Sequence, residues 1–381
     1  MKIQGSRAWA VRIPLRTPFP HNLSVRKVTE SIIIQLQDDR GFFGFGEGAP
    51  RPYVTGESLS SCMAFIKNTL FPWLARQNWP DHINSRNEML QWMQEFHHRF
   101  PQRKEDPIHT NNSSRAALEI ALLDCLLKRT ERSFQDFFPA QRSTLRFGLG
   151  IGAFSPPVAG LIAGAGRLLG FRDIKVKLNQ KEDWKRVKAV RFGAGKSARI
   201  RLDANQAYSL TDGAACERLA SLRRWKPICI EEPFREKDHP RINHIRTSTG
   251  LRFMADESLL SLQDAETIVQ TGSYDALNLR ISKLGGILPL IRVLELGRKH
   301  GLLLQIGCHV GELAILSRVG QLLAAHYSCI DYLEGGYGTW ILKSDIDPKS
   351  SKIGFGGKLL VRPALSSFGY NVDTDALRLA A

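Results

Sequence analysis

The sequence predicts an α/β protein built on a (β/α) barrel, with a smaller unit ahead of it. Two observations carry this reading. From about Leu145 onward, short apolar or β-branched runs recur with starts roughly 22 to 30 residues apart, and helical stretches fill the gaps; strand–helix units repeated at that period form parallel sheets. The chain has 381 residues, 43% hydrophobic and 24% charged, which suits a globular protein of two to three domains.

The elements follow in order. The first 55 residues are β-rich: Ser31-Ile32-Ile33-Ile34-Gln35-Leu36 is a β-branched run, followed by a turn at Asp38-Asp39-Arg40-Gly41 and by Phe42-Phe43-Gly44-Phe45. From Glu57 to about Arg132 the pattern is helical, with serines placed to cap the run Ser113–Asp124. A polar stretch from His97 to Ser114 separates two of these helices. Eight strands are then predicted, one near Leu145–Gly150 and seven at Ile174–Leu178, Ala198–Leu202, Ile228–Ile230, Leu251–Ala255, Ala276–Ile281, Leu302–Ile306 and Ile330–Leu333. Helices are expected at Asp183–Phe192, Asp212–Arg224, Leu262–Thr271, Ile287–His300 and Glu312–His326. Eight such units close a barrel of about 200 residues. An open doubly wound sheet is the structural alternative, weakened because no GxGxxG follows a strand. The residues from Ser351 onward are too few to fold alone and are expected to return to the N-terminal domain. The division is therefore 1–140, 141–350 and 351–381.

Composition excludes several classes. No apolar run reaches the length needed to cross a bilayer. Arg7, Arg12 and Arg16 interrupt the stretch where a signal peptide needs an apolar core, so a cytoplasmic protein without membrane attachment is expected. Six cysteines are scattered without a CxxC, which argues against a disulfide framework or zinc site. Charge is the outlier, with 53 basic against 37 acidic residues for a net +16. The basic residues are dispersed, without a nucleic-acid motif or aromatic–basic platform, and read as a solvated surface rather than a nucleic-acid partner site.

The informative feature is what ends each strand. Lys175 and Lys177 alternate with apolar residues and so share one face of their strand. Asp203, Glu231 with Glu232, and Asp256 with Glu257 end the next three, and Lys283 follows the sixth. Lys177, Asp203, Glu231, Asp256 and Lys283 are separated by 26, 28, 25 and 27 residues, one ionisable group per βα unit. In a barrel those ends surround one mouth, where barrel enzymes place their chemistry. Three carboxylates converging there repel one another unless a cation sits between them, and hard oxygen ligands suit Mg²⁺ or Mn²⁺ rather than zinc. Two lysines flanking that metal would act as bases if their pKa values were lowered. The pattern supports a metal-dependent barrel enzyme without naming its reaction.

In order, Lys-Val-Lys, Leu-Asp-Ala-Asn, Glu-Glu-Pro, Ala-Asp-Glu-Ser and Ser-Lys-Leu-Gly-Gly resemble the enolase superfamily. More narrowly they resemble its muconate-lactonizing subgroup, the mandelate racemase/muconate lactonizing enzyme family, which includes dipeptide epimerases and o-succinylbenzoate synthases. Thr17-Pro18-Phe19, Arg26, Gly44-Phe45-Gly46-Glu47 and Val54-Thr55-Gly56-Glu57 resemble the capping domain of the dipeptide epimerases. The resemblance implies a modified TIM (β/α) barrel covered by an α+β capping domain formed by the N-terminal part and the C-terminal tail. It implies that Asp203, Glu231 and Asp256 ligate one Mg²⁺, that Lys177 and Lys283 stand on opposite faces of a small-molecule carboxylate substrate, that Lys175 lowers the pKa of Lys177, and that Glu257 orients Lys283. A homo-oligomer is also expected.

The implied chemistry is removal of a proton α to a carboxylate through a metal-stabilised enolate; the superfamily is a worked example of such catalysis. Epimerisation of a dipeptide or N-substituted amino acid leads, with cycloisomerisation of a muconate-like diacid or an o-succinylbenzoate synthase-type elimination as the alternative. Two strands depart from the epimerase pattern. The eighth reads Asp331-Tyr332-Leu333-Glu334, with Glu334 where those epimerases carry the second acid of an Asp-x-Asp that grips the substrate ammonium. Glu334 either pairs with an ammonium group or serves as a rim acceptor. The seventh ends Gly307-Cys308-His309-Val310-Gly311-Glu312, and His309 reads as a pocket-lining residue rather than a base. Arg26 and Arg51 either bind a second substrate carboxylate or sit on the surface.

Overall fold

The computed structural model describes residues 1–20, 25–101, 111–335, 338–347, 349 and 352–380. Three strands, β1 (Ile3–Pro20), β2 (Val25–Asp38) and β3 (Phe43–Gly48), form an antiparallel sheet in that order. β2 is central, and Ile32, Ile33 and Ile34 are all fully buried, because the sheet is covered on both faces. β3 lies against the helix Asn112–Arg129. A β-carbon on Gly44, Gly46 or Gly48 would strike the carbonyl oxygens of Ala121, Ala117 and Ser113, one helical turn apart. Two strand residues advance about 6.6 Å and four helical residues about 6 Å, so the two backbones stay in step, and their close approach requires glycine at each of these contacts.

The barrel follows. Strands β5 (Leu149–Ile151), β6 (Asp173–Lys177), β7 (Arg199–Asp203), β8 (Ile230–Glu231), β9 (Phe253–Ala255), β10 (Ala276–Leu279), β11 (Leu303–Ile306) and β12 (Tyr332–Leu333) form one curled parallel sheet in sequence order. The Gly148 N–H donates to the Leu333 carbonyl at 3.0 Å, bringing the first strand back to the last. An α/β fold with a TIM-like barrel behind a β-rich N-terminal unit is thus what the chain adopts. Among the described residues no helix is long and apolar enough to cross a membrane.

Three expectations need correction. The predicted strand Leu145–Gly150 is two: β4 (Thr144–Arg146) pairs antiparallel with β13 (Lys358–Leu360), and the chain changes partner at Phe147-Gly148 before β5 begins. The sixth barrel strand ends at Leu279 rather than Ile281, and Ile281–Leu284 forms a single helical turn closed by Gly285 in the left-handed region. Two helices, Pro156–Leu168 and His239–Thr249, escape the sequence reading, the first because glycines and prolines interrupt its pattern. The polar stretch from His97 to Ser114 falls partly outside the described residues.

The two units are joined by capping interactions. Glu47 in β3 accepts the Leu313 and Leu316 N–H groups at 2.7 and 3.0 Å, capping the barrel helix Ala314–His326. Glu119 does the same for Ile287–Lys299 through the N–H groups of Ile287 and Leu288. A buried carboxylate at a helix start satisfies otherwise orphaned donors and complements the helix dipole. Beyond Ser351 the chain meets both units: β13 pairs with β4, and the Tyr370 hydroxyl donates to the Phe45 carbonyl at 2.6 Å.

Candidate active site

A cavity of about 270 Å³ opens at the C-terminal ends of the barrel strands. Lys175 and Lys177 from β6, Asp203 from β7, Glu257 after β9, Arg280 after β10, His309 and Glu312 after β11, and Glu334 after β12 line it. Tyr53, on the short helix Pro52–Thr55, reaches it from the N-terminal unit.

Register explains the convergence. Lys177 pairs with Asp203 and Asp203 with Glu231 across neighbouring parallel strands, so their side chains emerge side by side. The Lys175 ammonium is shared by Asp203 (3.0 Å), Glu231 (2.9 Å) and Glu334 (3.0 Å). Lys177 meets Asp203 at 3.2 Å and donates to Asn205. Arg280 binds Asp256 and lies 3.7 Å from Glu231. Lys283 is fully buried and donates to the Asp256 carboxylate at 2.8 Å and to the carbonyls of Asp256 and Asn278 at 2.6 and 2.9 Å.

These contacts set the charges. Burial pushes Asp203 upward, but Lys175 and Lys177 outweigh it and hold the carboxyl below its ordinary range. Asp256 is likewise held down, against burial, by Arg280 and Lys283. Glu231, buried with Asp203, Glu334 and Asp256 around it, is pushed up to about 8 despite Lys175. Burial, with Arg280 close by, lowers Lys283 against the pull of Asp256. Lys175 is raised well above an ordinary lysine, its three carboxylates overcoming burial.

The structure redistributes several sequence-assigned roles. The hydrogen bond expected between Glu257 and Lys283 is not made. Lys283 is oriented by Asp256 and two carbonyls, while Glu257 accepts from Asn205 at 3.1 Å, on the Lys177 side of the site. The one-turn helix after β10 carries Lys283 toward Asp256, which accounts for the difference. Arg51 is neither on the surface nor among the cavity-lining residues. It is buried, and its guanidinium donates to the carbonyls of Glu30, Pro50 and Val310, tying the N-terminal unit to the loop that carries His309. The Arg26 side chain lies outside the described residues. His309 lines the cavity with Nδ1 3.3 Å from Arg280. As the side chains stand, no three of the described Asp, Glu, His or Cys residues gather around one point, because Lys175 and Arg280 reach in among Asp203, Glu231 and Asp256.

Sequence reasoning misses Arg201, Asn278, Arg280 and Gln305. Arg201 is buried inside the barrel, bonded to Glu334 at 2.7 Å and to Gln305. Asn278 Nδ2 donates to Glu231 at 3.0 Å, and its Oδ1 is buried without a partner among the described residues. The available signal was alternation: Arg201 stands two residues before Asp203 in an apolar strand, as Lys175 stands before Lys177.

Residues 161–360 match the family described as Enolase C-terminal domain-like. The chain belongs to the enolase superfamily. A curated superfamily relative, the N-succinyl-L-Arg/Lys racemase of Bacillus cereus, is 29% identical over 344 residues, covering 88% of this chain and 87% of that protein. A hydrophobic dipeptide epimerase of Enterococcus faecalis is 26% identical over 328 residues, covering 86% of each. The solved structure of the N-succinyl Arg/Lys racemase from Bacillus cereus superposes with a TM-score of 0.87 at 26% identity, over 100% of this chain and 98% of that one. This enolase-superfamily enzyme therefore keeps the whole two-unit architecture of its racemase relative, not the barrel alone.

Proposed function

We propose that this enzyme is an isomerase that inverts the α-carbon of an N-acylated amino acid through a Mg²⁺-dependent proton abstraction. The observation that carries the substrate assignment is the state of Glu334. Both its oxygens are engaged by cations of the chain, Oε1 by Arg201 at 2.7 Å and Oε2 by Lys175 at 3.0 Å, which also hold its pKa down against burial. A carboxylate so neutralised is a poor partner for a substrate ammonium, whereas an acylated nitrogen carries no charge to satisfy. The N-succinyl racemase relative supports the same class, and the dipeptide epimerases are the second reading.

Once Lys175 and Arg280, which pair with them, give way, Asp203, Glu231 and Asp256 would hold a hard divalent cation. They are three oxygen donors on successive strands, with the unpartnered Asn278 Oδ1 beside Glu231. When bound there, Mg²⁺ would supply electrophilic neutralisation of the substrate carboxylate, which makes the α-proton acidic. The chain's own groups do the rest. Lys175, cationic and buried, compensates charge that develops on the carboxylate. Lys177 ends one barrel strand, and Lys283 follows another four places on in a ring of eight. Lys283 is fully buried and not among the cavity-lining residues, and the spacing supports one base on each face of the substrate. One removes the proton as a free amine, and the other, as an ammonium, returns one to the opposite face. Burial favours the free amine at Lys283. Tyr53 and His309 line the same cavity.

The test is incubation of N-succinyl, N-acetyl and free-amino substrates with the Mg²⁺-loaded protein in D₂O, following α-deuterium by NMR. Exchange with inversion of the acylated substrates supports the proposal; exchange confined to dipeptides with a free amino terminus would move the assignment to dipeptide epimerisation.

A further inference from the structure

A second cavity, of about 320 Å³, lies at the other end of the barrel. Arg172 directly precedes β6, and Ser197 and Ala198 precede β7, whereas Lys177 and Asp203 end those same strands at the active site. The lining includes four cationic side chains, Arg146, Arg167, Arg172 and Lys358, and no carboxylate.

This concentration of charge is uncompensated within the fold. Arg146 and Lys358 are directly opposed in the β4–β13 ladder, both on its exposed face, and like charges directly opposed across strands are destabilising. Among the described residues none of the four side chains makes an ion pair or hydrogen bond. The neighbouring Asp173 is taken by Arg199 at 2.6 Å. Some basic residues on the outer helices are paired, Arg186 with Asp183, Arg218 with Asp212 and Arg246 with Asp275, and others stand singly on the surface. What sets the cavity apart is that four cations, unpaired among the described residues, converge on one hollow with no carboxylate in its lining.

We propose that this cavity binds a small phosphate-bearing molecule. Guanidinium groups match phosphoryl oxygens in bidentate geometry, and a lysine adds a point charge. Ser197 offers a hydroxyl, and Phe355, 67% exposed at the edge, offers an aromatic face to the remainder of the ligand. The concave shape favours a compact anion over a polymer. The proposal is independent of the reaction assigned to the other end of the barrel.

Calorimetric titration of pyrophosphate and of ATP at low ionic strength tests it on the full chain. Both probes should bind the wild type once per chain, more weakly as salt rises. Arg146→Gln with Lys358→Gln should weaken them about tenfold or more, while Arg292→Gln with Lys299→Gln, the same charge change on an outer helix, should not. The ligand-free double variant Arg146→Gln/Lys358→Gln should also melt no lower than the wild type at low salt, because a like-charge pair has been removed. No binding of either probe to the wild type, or equal weakening by the two double variants, would overturn the site. Single-stranded RNA that binds more tightly than ATP and loses affinity in Arg146→Gln/Lys358→Gln would overturn the small-ligand assignment in favour of a polymer.

Discussion

Asn112 holds the backbone of Lys283: its Nδ2 donates to the Lys283 carbonyl at 2.6 Å, across the boundary between the N-terminal unit and the barrel. The adjacent Ser282 Oγ accepts the Ala49 N–H at 2.8 Å and donates to Ser113 at 3.2 Å. The turn that carries one proposed base is thus built by the barrel and aimed by the other unit. Asn112→Ala should cost about 1 to 3 kcal/mol of stability, as for a buried hydrogen bond left unmade. It should lower kcat more than it raises KM, because a base moved out of reach loses rate rather than affinity. Denaturant titration and steady-state kinetics check both, and an unchanged kcat would remove Asn112 from the positioning role.

The two-base geometry makes a stereochemical prediction. Lys177→Ala and Lys283→Ala should each abolish net inversion, a positioned base being worth roughly 10² to 10⁴-fold. Each variant should keep α-proton exchange with D₂O for one enantiomer only, and the two variants should keep opposite ones. Retained inversion in either variant would exclude the mechanism.

Metal dependence should follow the carboxylates. Exhaustive chelation should remove turnover and added Mg²⁺ or Mn²⁺ restore it, and Asp203→Asn or Asp256→Asn should lose most of it. Full activity of the chelated, dialysed protein would contradict the assignment.

Glu334 separates binding from internal neutralisation. Glu334→Gln leaves the buried Arg201 without its anion, at a cost of about 3 kcal/mol in stability. It should change KM equally for free-amino and N-acyl substrates. A selective rise for the free-amino substrate would restore Glu334 as an ammonium ligand. Thermal melts of Glu334→Gln, Arg201→Gln and the double variant complete the cycle.

Glu312 predicts a pH dependence of stability. Burial pushes its carboxyl from the ordinary 4.5 up to about 7. A raised carboxyl binds its proton more tightly folded than unfolded. Its contribution is therefore full below about pH 4.5, falls as pH rises toward 7, and stays lost above that, a change of about 3 kcal/mol. Glu312→Gln should remove that part of the slope when denaturation is compared at the two ends of the range. An unaltered slope would refute it.

Much of this was legible along the chain because it is periodic. One ionisable residue per βα unit, from Lys177 to Lys283, marked a single mouth before any coordinates, since parallel strands in register must end together. Gly44 and Gly46 belonged to a recognisable motif, though only the packed helix shows what they and Gly48 make room for. The sequence by itself determined the α/β class, the barrel period and one polar side chain at the end of each of five successive strands, because these depend on local spacing.

Which partner each side chain takes was decided by the tertiary structure alone. Glu257 turns to Asn205 instead of Lys283 because a helical turn replaces the end of β10. Arg51 becomes a strut between the two units because the carbonyls of Glu30, Pro50 and Val310 meet only when these pack together. Arg201 neutralises Glu334 from five strands away in sequence order because the barrel closes. Such contacts join residues far apart in the chain, and their geometry depends on closure and on the seating of one unit upon the other, which no local pattern encodes.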